Sequence, residues 1–221
     1  MNEVRILFSN HLDDDALRHQ KKILARLGAS LAFSISDATH FVADSFLRTR
    51  NMLEAMALGK PVVTHLWLES CNQTSCLIDE KAYILRDAKK ERELGFSMPD
   101  SLVRASQKPL LQNQKVIITP NSKPSKDIVA NLVKAVHGEV VENFDLSSLK
   151  VDEYPGSVLI LSCQEDYVFC QSYLNEGVAV HSSELLLSGI VTQRLDYARH
   201  RLFEDHVRTA VSQEIKISKR L

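Results

Sequence analysis

Glycine is scarce in this chain. Seven occur in 221 residues, and none stands in the GxGxxG or GxxxxGK[ST] spacing that lets backbone amides cradle a dinucleotide or a nucleotide phosphate. The GxSxG elbow of serine hydrolases and the HExxH pair of zinc proteases are missing as well. The eight histidines (11, 19, 40, 65, 137, 181, 200 and 206) are scattered and read as packing or surface groups, with His65 and His181 at nearly equivalent positions of a repeat described below. Four cysteines, Cys71, Cys76, Cys163 and Cys170, form no CxxC pair and no Cys/His cluster with metal spacing. That excludes a zinc site and favours buried thiols in a reducing compartment over disulfides. No catalytic residue, metal or cofactor is expected.

An excess of either charge is also absent. Lys and Arg number 27 against 28 Asp and Glu, a net charge of −1. No global field draws the chain to nucleic acid or to an anionic membrane, so direct nucleic-acid binding is not expected and any anion site must be local. The opening "MNEVRILFSNHLDDD" has only a short apolar run before its acids, which reads as neither a signal peptide nor a membrane span. A soluble, intracellular protein is the expectation.

What is present is an alternation of strand and helix signals. "VRILFS" (4–9) predicts a strand, and Leu17, Gln20, Leu24 and Leu27 then share one helical face, with Asp13 to Asp15 suited to the helix start and Gly28 to its end. "SLAFS" (30–34) and "THFVA" (39–43) predict two more strands. "FLRTRNMLEAMALGK" predicts a helix from Phe46, "PVVT" a fourth strand and "HLWLESCNQ" (65–73) a last helix, giving βαββαβα. The same order returns after a charged segment. "ILFS" matches "VIIT" and Gly28 matches Gly138, both 110 residues on. After an insertion within "VENFDLSSLKVDEYPG" the offset becomes 118, where "HFVAD" matches "VLILS", Gly59 matches Gly177 and Trp67 matches Leu185. A duplicated unit of about 100 residues suits the length. The predicted boundaries are 1–88 for the first domain, 89–111 for a helical linker, 112–205 for the second domain and 206–221 for a C-terminal extension.

Gly28, "THFVAD", "GKPVVTHLWLESC" and the duplication together resemble a tandem BRCT repeat over roughly residues 4 to 204. The signature is sharper in the first copy, because Leu185 stands where the second copy usually has tryptophan. The resemblance implies an α/β fold of two domains, each a four-stranded parallel sheet flanked by helices, joined by a helical linker.

The first turn predicted for the second helix carries Arg48 and Arg50 around Thr49. Cations there oppose the helix dipole at a cost of a few tenths of a kcal/mol, unless an anion is bound. Ser9 ends the first strand and Asn10 begins the loop after it, so both share with Thr49 the sheet edge where ligands of such folds bind. The resemblance to phosphopeptide-binding tandem BRCT repeats implies that Ser9, the Asn10 N–H, Thr49, Arg50 and Asn51 hold phosphate. Asn10 stands where that class has glycine, and Asn51 where it has lysine, leaving Arg50 as the replacement. The resemblance further implies that Arg48, Leu53, Pro124, Glu184 and Leu187 take the third residue after a phosphoserine and the peptide's carboxylate, with Glu184 positioning Arg48. Asp166 and Tyr167, 118 residues after Arg48 and Thr49, argue against a second phosphate site. The implied function is a non-enzymatic, nuclear, chromatin-directed scaffold module of the DNA damage response. It would read a phosphorylated protein tail, that of a damage-marked variant histone ending in pSer-Gln-x-aromatic. A phosphate-independent protein-interaction pair or a DNA-end-binding pair is the alternative.

Overall fold

The computed structural model describes residues 3–142 and 158–204. It divides into two units, one formed by residues up to 109 together with 190–193, the other by 110–189 together with those from 194 on. The predicted C-terminal extension and most of the predicted insertion lie outside the described residues.

In the first unit, strand β1 (Arg5–Phe8) lies between β2 (Ser30–Leu31) and β3 (His40–Val42), and β4 (Val62–Val63) completes a parallel sheet of order β2-β1-β3-β4. Helix α1 (Asp14–Arg26) is capped by the Asp13 carboxylate, which accepts from the amides of Asp15 and Ala16 at 3.2 and 3.1 Å. It packs against α3 (Leu66–Thr74). Their facing side chains Ile23, Leu24, Trp67, Leu68 and Cys71 form one core with Ile6, Phe8, Val42 and Val63 from the sheet. Burying each large side chain contributes about 1.5–3 kcal/mol. Trp67 is 1% exposed, stacks on His40 at 4.3 Å and donates its indole N–H to Ile78 O at 3.0 Å.

Helix α2 (Arg50–Ala57) packs instead on α5 (Met98–Gln107), which follows the short α4 (Ala88–Leu94) in the segment read from sequence as linker. Gly59 closes α2 with φ +62°, and an added Cβ there would meet Ser106 N at 2.7 Å and Leu102 O at 2.9 Å.

The second unit repeats the plan with β5 (Lys115–Ile118), α6 (Lys126–Ala135), β6 (Glu139–Val140), β7 (Val158–Ser162), α7 (Tyr167–Asn175), β8 (Val180–Ser182) and α8 (Glu184–Thr192). Its sheet has order β6-β5-β7-β8-β9, because β9 (Arg201–Leu202) adds an antiparallel edge to β8. The sheet therefore has five strands, not the four parallel strands expected, and two-residue β9 is too short to carry a hydrophobic period. Ile117, Ile160, Cys170, Leu174, Val178 and Val180 fill its core.

Ladder register refines the alignment of the copies. Ile117 stands 110 residues after Leu7, Ile160 stands 119 after Phe41, and Val180 stands 118 after Val62. The single offset of 118 thus fails at β3 and β7 and holds at β4 and β8, where Leu185 is also buried at the place of Trp67. The match of Gly28 to Gly138 is likewise off by one. Gly28 has φ +68°, but in the second unit the positive φ (62°) belongs to His137. Gly138 answers a different need, since a Cβ there would lie 2.8 Å from Val133 Cγ1. His181 pairs in β8 at the register of Val63, whereas His65 sits before α3, so these two histidines are not equivalent.

Candidate functional site

The carboxyl edge of the first sheet is built from two pieces of backbone. Ser9 extends the β1 ladder by one bond, its N–H donating to Val42 O at 2.8 Å, and the chain then turns so that Leu12 N reaches Ser9 O at 3.3 Å. Within this turn the His11 amide donates to Ser9 Oγ at 3.2 Å. Ser9 is half-buried and Asn10 exposed. Asn10 does not have a positive φ, so the backbone there does not require glycine.

The second piece is the start of α2. The helix begins at Arg50 and not at Phe46, and the reason is Thr49: its hydroxyl oxygen accepts from Met52 N at 3.3 Å as the N-cap, with extended backbone. Arg48 therefore precedes the cap and does not lie in the first turn. It is exposed. Arg50 is half exposed, and its Nε stands 3.7 Å from a Glu54 carboxylate oxygen one turn on. Asn51 is half-buried. Because β3 adjoins β1, the loop leading to Thr49 rises from the same sheet edge as the Ser9–Leu12 turn. The Thr49 hydroxyl keeps its proton for an acceptor outside the helix, since the cap uses only the oxygen. Leu53 is 4% exposed, on the buried face of α2.

The corresponding edge of the second unit is filled. Thr119 extends β5 by donating its N–H to Leu161 O at 3.0 Å, and Ser122 N returns to Thr119 O at 3.3 Å, so the turn Thr119–Ser122 repeats the two backbone bonds of Ser9–Leu12. Asp166, the N-cap of α7, is fully buried. Its carboxylate accepts from Asn121 N at 2.8 Å and from Asn121 Nδ2 at 2.6 Å. Burial by itself pushes the Asp166 carboxyl up, but the polar surroundings, the two Asn121 hydrogen bonds among them, outweigh it and hold the pKa below its ordinary value. The residue equivalent to Asn10 is Pro120, which has no N–H to give. Reading along the sequence located Asp166 but missed its partner Asn121, since a side chain bonded to a turn 45 residues away leaves no local pattern.

The other second-unit residues singled out from sequence fall as follows. Pro124 is half-buried after the turn, preceding α6. Glu184 opens α8 and accepts a hydrogen bond from the Ser188 hydroxyl, and Leu187 is half-buried on the same helix. Of the cysteines, Cys71 and Cys170 are buried, whereas Cys163 is half-buried and Cys76 exposed. Among the described residues no helix is long and apolar enough to cross a membrane.

Two parallel-sheet units of one plan, arranged in sequence order βαββαβα, define the class of the molecule. Residues 109–199 match the BRCT domain family, and residues 2–85 match the Regulator of Ty1 transposition protein 107 BRCT domain. The chain is a tandem pair of BRCT domains and belongs to that family. It is 32% identical over 200 residues to PAX-interacting protein 1 of Bos taurus, covering 89% of this chain and 20% of that protein. It is 28% identical over 189 residues to Mediator of DNA damage checkpoint protein 1 of Homo sapiens, covering 86% of this chain and 9% of the relative. The chain thus spans a fifth or less of the length of these relatives. Among solved structures, the BRCT5-BRCT6 domains of S. pombe Brc1 superpose with a TM-score of 0.71 at 26% identity, covering 93% of this chain and all of that one. The complex of Rtt107p with a phosphorylated histone gives 0.59 at 12% identity, covering 91% and 93%, a likeness of fold.

Proposed function

We propose that this tandem BRCT pair is a non-catalytic phosphoserine-peptide reader acting as a nuclear scaffold module in the DNA damage response. Its ligand is a phosphorylated protein tail, that of a damage-marked histone ending in pSer-Gln-x-aromatic with a free carboxylate. One observation carries the reading. In the second unit the turn bonds the carboxylate of the residue that precedes α7, so this edge of the fold accommodates an anion. The first unit has the same turn but places Thr49, flanked by Arg48 and Arg50, where the second has Asp166. Removing an internal anion and adding two cations suits an anion supplied from outside. Ser9 Oγ, the Asn10 N–H and the Thr49 hydroxyl offer hydrogen bonds to phosphate oxygens, Arg50 offers charge in place of the lysine missing at Asn51, and Arg48 is the group for the peptide's carboxylate. The relatives named for the DNA damage checkpoint and the histone complex of Rtt107p support this choice of ligand and setting.

The decisive variant is Thr49→Asp. Aspartate caps a helix at least as well as threonine, so the fold keeps its stability while the phosphate meets a carboxylate. Affinity for a pSer-Gln-x-Tyr peptide, measured by calorimetry, is expected to fall by more than tenfold with the melting temperature unchanged. Amidating the peptide's C-terminus should weaken binding to the parent and have little further effect on Arg48→Ala. Equal affinity of parent and Thr49→Asp, or equal binding of the dephosphorylated peptide, refutes the reading. The latter result favours a phosphate-independent interaction module.

A further inference from the structure

Among the described residues of the second unit, Asp166 is a carboxylate both fully buried and bonded across the sheet edge. Its two donors are neutral and both belong to Asn121, the backbone N–H and the side-chain amide. A buried charge is retained only where such donors compensate its lost hydration. The Ser122 hydroxyl in the same turn is also buried, 4% exposed, and has no hydrogen-bond partner. A further polar group with nothing to bond is therefore stored in this turn.

We propose that the second unit retains an anion-binding turn and fills it with its own Asp166 carboxylate, so that removing this side chain opens a site for a small carboxylate from solvent. The class of ligand follows from the donors. Two convergent N–H groups of Asn121 match the two oxygens of a planar carboxylate. Pro120 withholds the backbone amide that Asn10 supplies in the first unit, so one donor for a third oxygen is missing. Formate and acetate fit this set better than phosphate. The inference stands on the second unit alone and does not depend on what the first unit binds. Its consequence for the parent chain is that Asp166 closes this edge of the second unit to anions from solvent.

The test is thermal melting of the full chain as parent, Asp166→Ala and Asp166→Asn, in about 200 mM sodium formate against sodium chloride of equal ionic strength. In chloride, Asp166→Ala should melt at least about 4 °C below the parent, since it removes both hydrogen bonds that tie the turn to the start of α7. Formate should raise its melting temperature by about 3 °C or more over chloride, through binding to the folded state alone, while the parent barely responds. Asp166→Asn fills the space without the charge. It should lose stability in chloride and gain nothing from formate. The proposal is overturned if Asp166→Ala and the parent respond alike to formate, or if Asp166→Asn gains as much as Asp166→Ala. Should Asp166→Ala not fold in chloride, refolding in formate decides: recovery of a cooperative melt supports the proposal, and failure to recover overturns it.

Discussion

Replacing Gly59 by alanine separates two demands that glycine meets at once. The residue has φ +62°, a conformation that costs an L side chain roughly 1–2 kcal/mol, and its Cβ would lie 2.7 Å from Ser106 N and 2.9 Å from both Leu102 O and Ser106 Cβ. These are largely main-chain atoms of α5, which cannot swing aside as a side-chain tip can. Relieving the overlap requires α2 and α5 to part, at about 1–3 kcal/mol by analogy with overpacked cores. The stiffer unfolded chain returns about 0.4–1 kcal/mol. The expected net loss for Gly59→Ala is about 2–4 kcal/mol. Gly177, its counterpart 118 residues on, provides the internal control: φ is +79°, but nothing lies within 4 Å of an added Cβ. Gly177→Ala should therefore lose only about 1 kcal/mol. Urea denaturation of the two variants and the parent, followed by circular dichroism, measures both. If the two substitutions cost the same, close approach of α5 is not what requires glycine at 59, and the argument from packing fails.

Two further outcomes follow from groups away from the proposed site. His181 is 5% exposed, packs edge-on to Tyr197, and its pKa is lowered to about 4 by burial, then by Arg201 and His200. The unfolded chain, titrating near 6.5, binds more protons between these values, so stability should rise as pH increases from about 4 to about 6.5. The contribution is on the order of 2 kcal/mol after allowance for screening, and a His181→Phe variant with the same pH slope as the parent refutes it. Lys60 directs its ammonium at three carbonyls, Ile35 O, Ser36 O and Ala38 O, at 2.6, 2.8 and 2.7 Å. Lys60→Met keeps the stem but strands these acceptors, and should lower stability by about 1.5–3 kcal/mol; a loss below about 0.5 kcal/mol by the same denaturation assay sinks this assignment.

Periodicity and punctuation carried the order of elements because α1 and the central strands bury regular stripes: Gln20, Ile23 and Leu24 on the helix, Ile6 and Phe8 on β1. Boundaries failed where one local bond decides them. The α2 start moved four residues because the Thr49 hydroxyl claims Met52 N, a competition invisible to hydrophobic pattern. "SLAFS" shortened to Ser30–Leu31 because the ladder to β1 ends where Ala32 N donates to Ile6 O at 2.8 Å, and Ser34 then bonds locally to Asp37. Equivalent residues of the copies drifted by one wherever a turn gained or lost a residue, as Gly28 and His137 illustrate. Ser9, Asn10, Thr49 and Arg50 stand on loops that the adjacent parallel strands β1 and β3 deliver to one edge, a placement that strand order alone implies. Asp166 with Asn121 was not legible in this way, since that contact depends on a register only the folded sheet sets.

The arginines at α2 are explained by comparing the partners open to them. Within the protein, Arg50 has Glu54 at 3.7 Å, with the guanidinium about half exposed. An exposed pair at that spacing contributes about 0–1 kcal/mol and is weakened by salt. A charge-assisted hydrogen bond to a phosphate oxygen contributes about 1.5–3 kcal/mol, and the helix dipole adds to it, because an anion at the N-terminus reverses the unfavourable placement of the cation. If phosphate binds at the helix start as proposed, exchange of Glu54 for it is downhill for Arg50, which then leaves a partner one turn further into the helix. The same comparison limits what Arg50 can do in place of a lysine at position 51. Part of its interaction is already spent on Glu54, so phosphate gains the difference between the two partners and not the whole of the second.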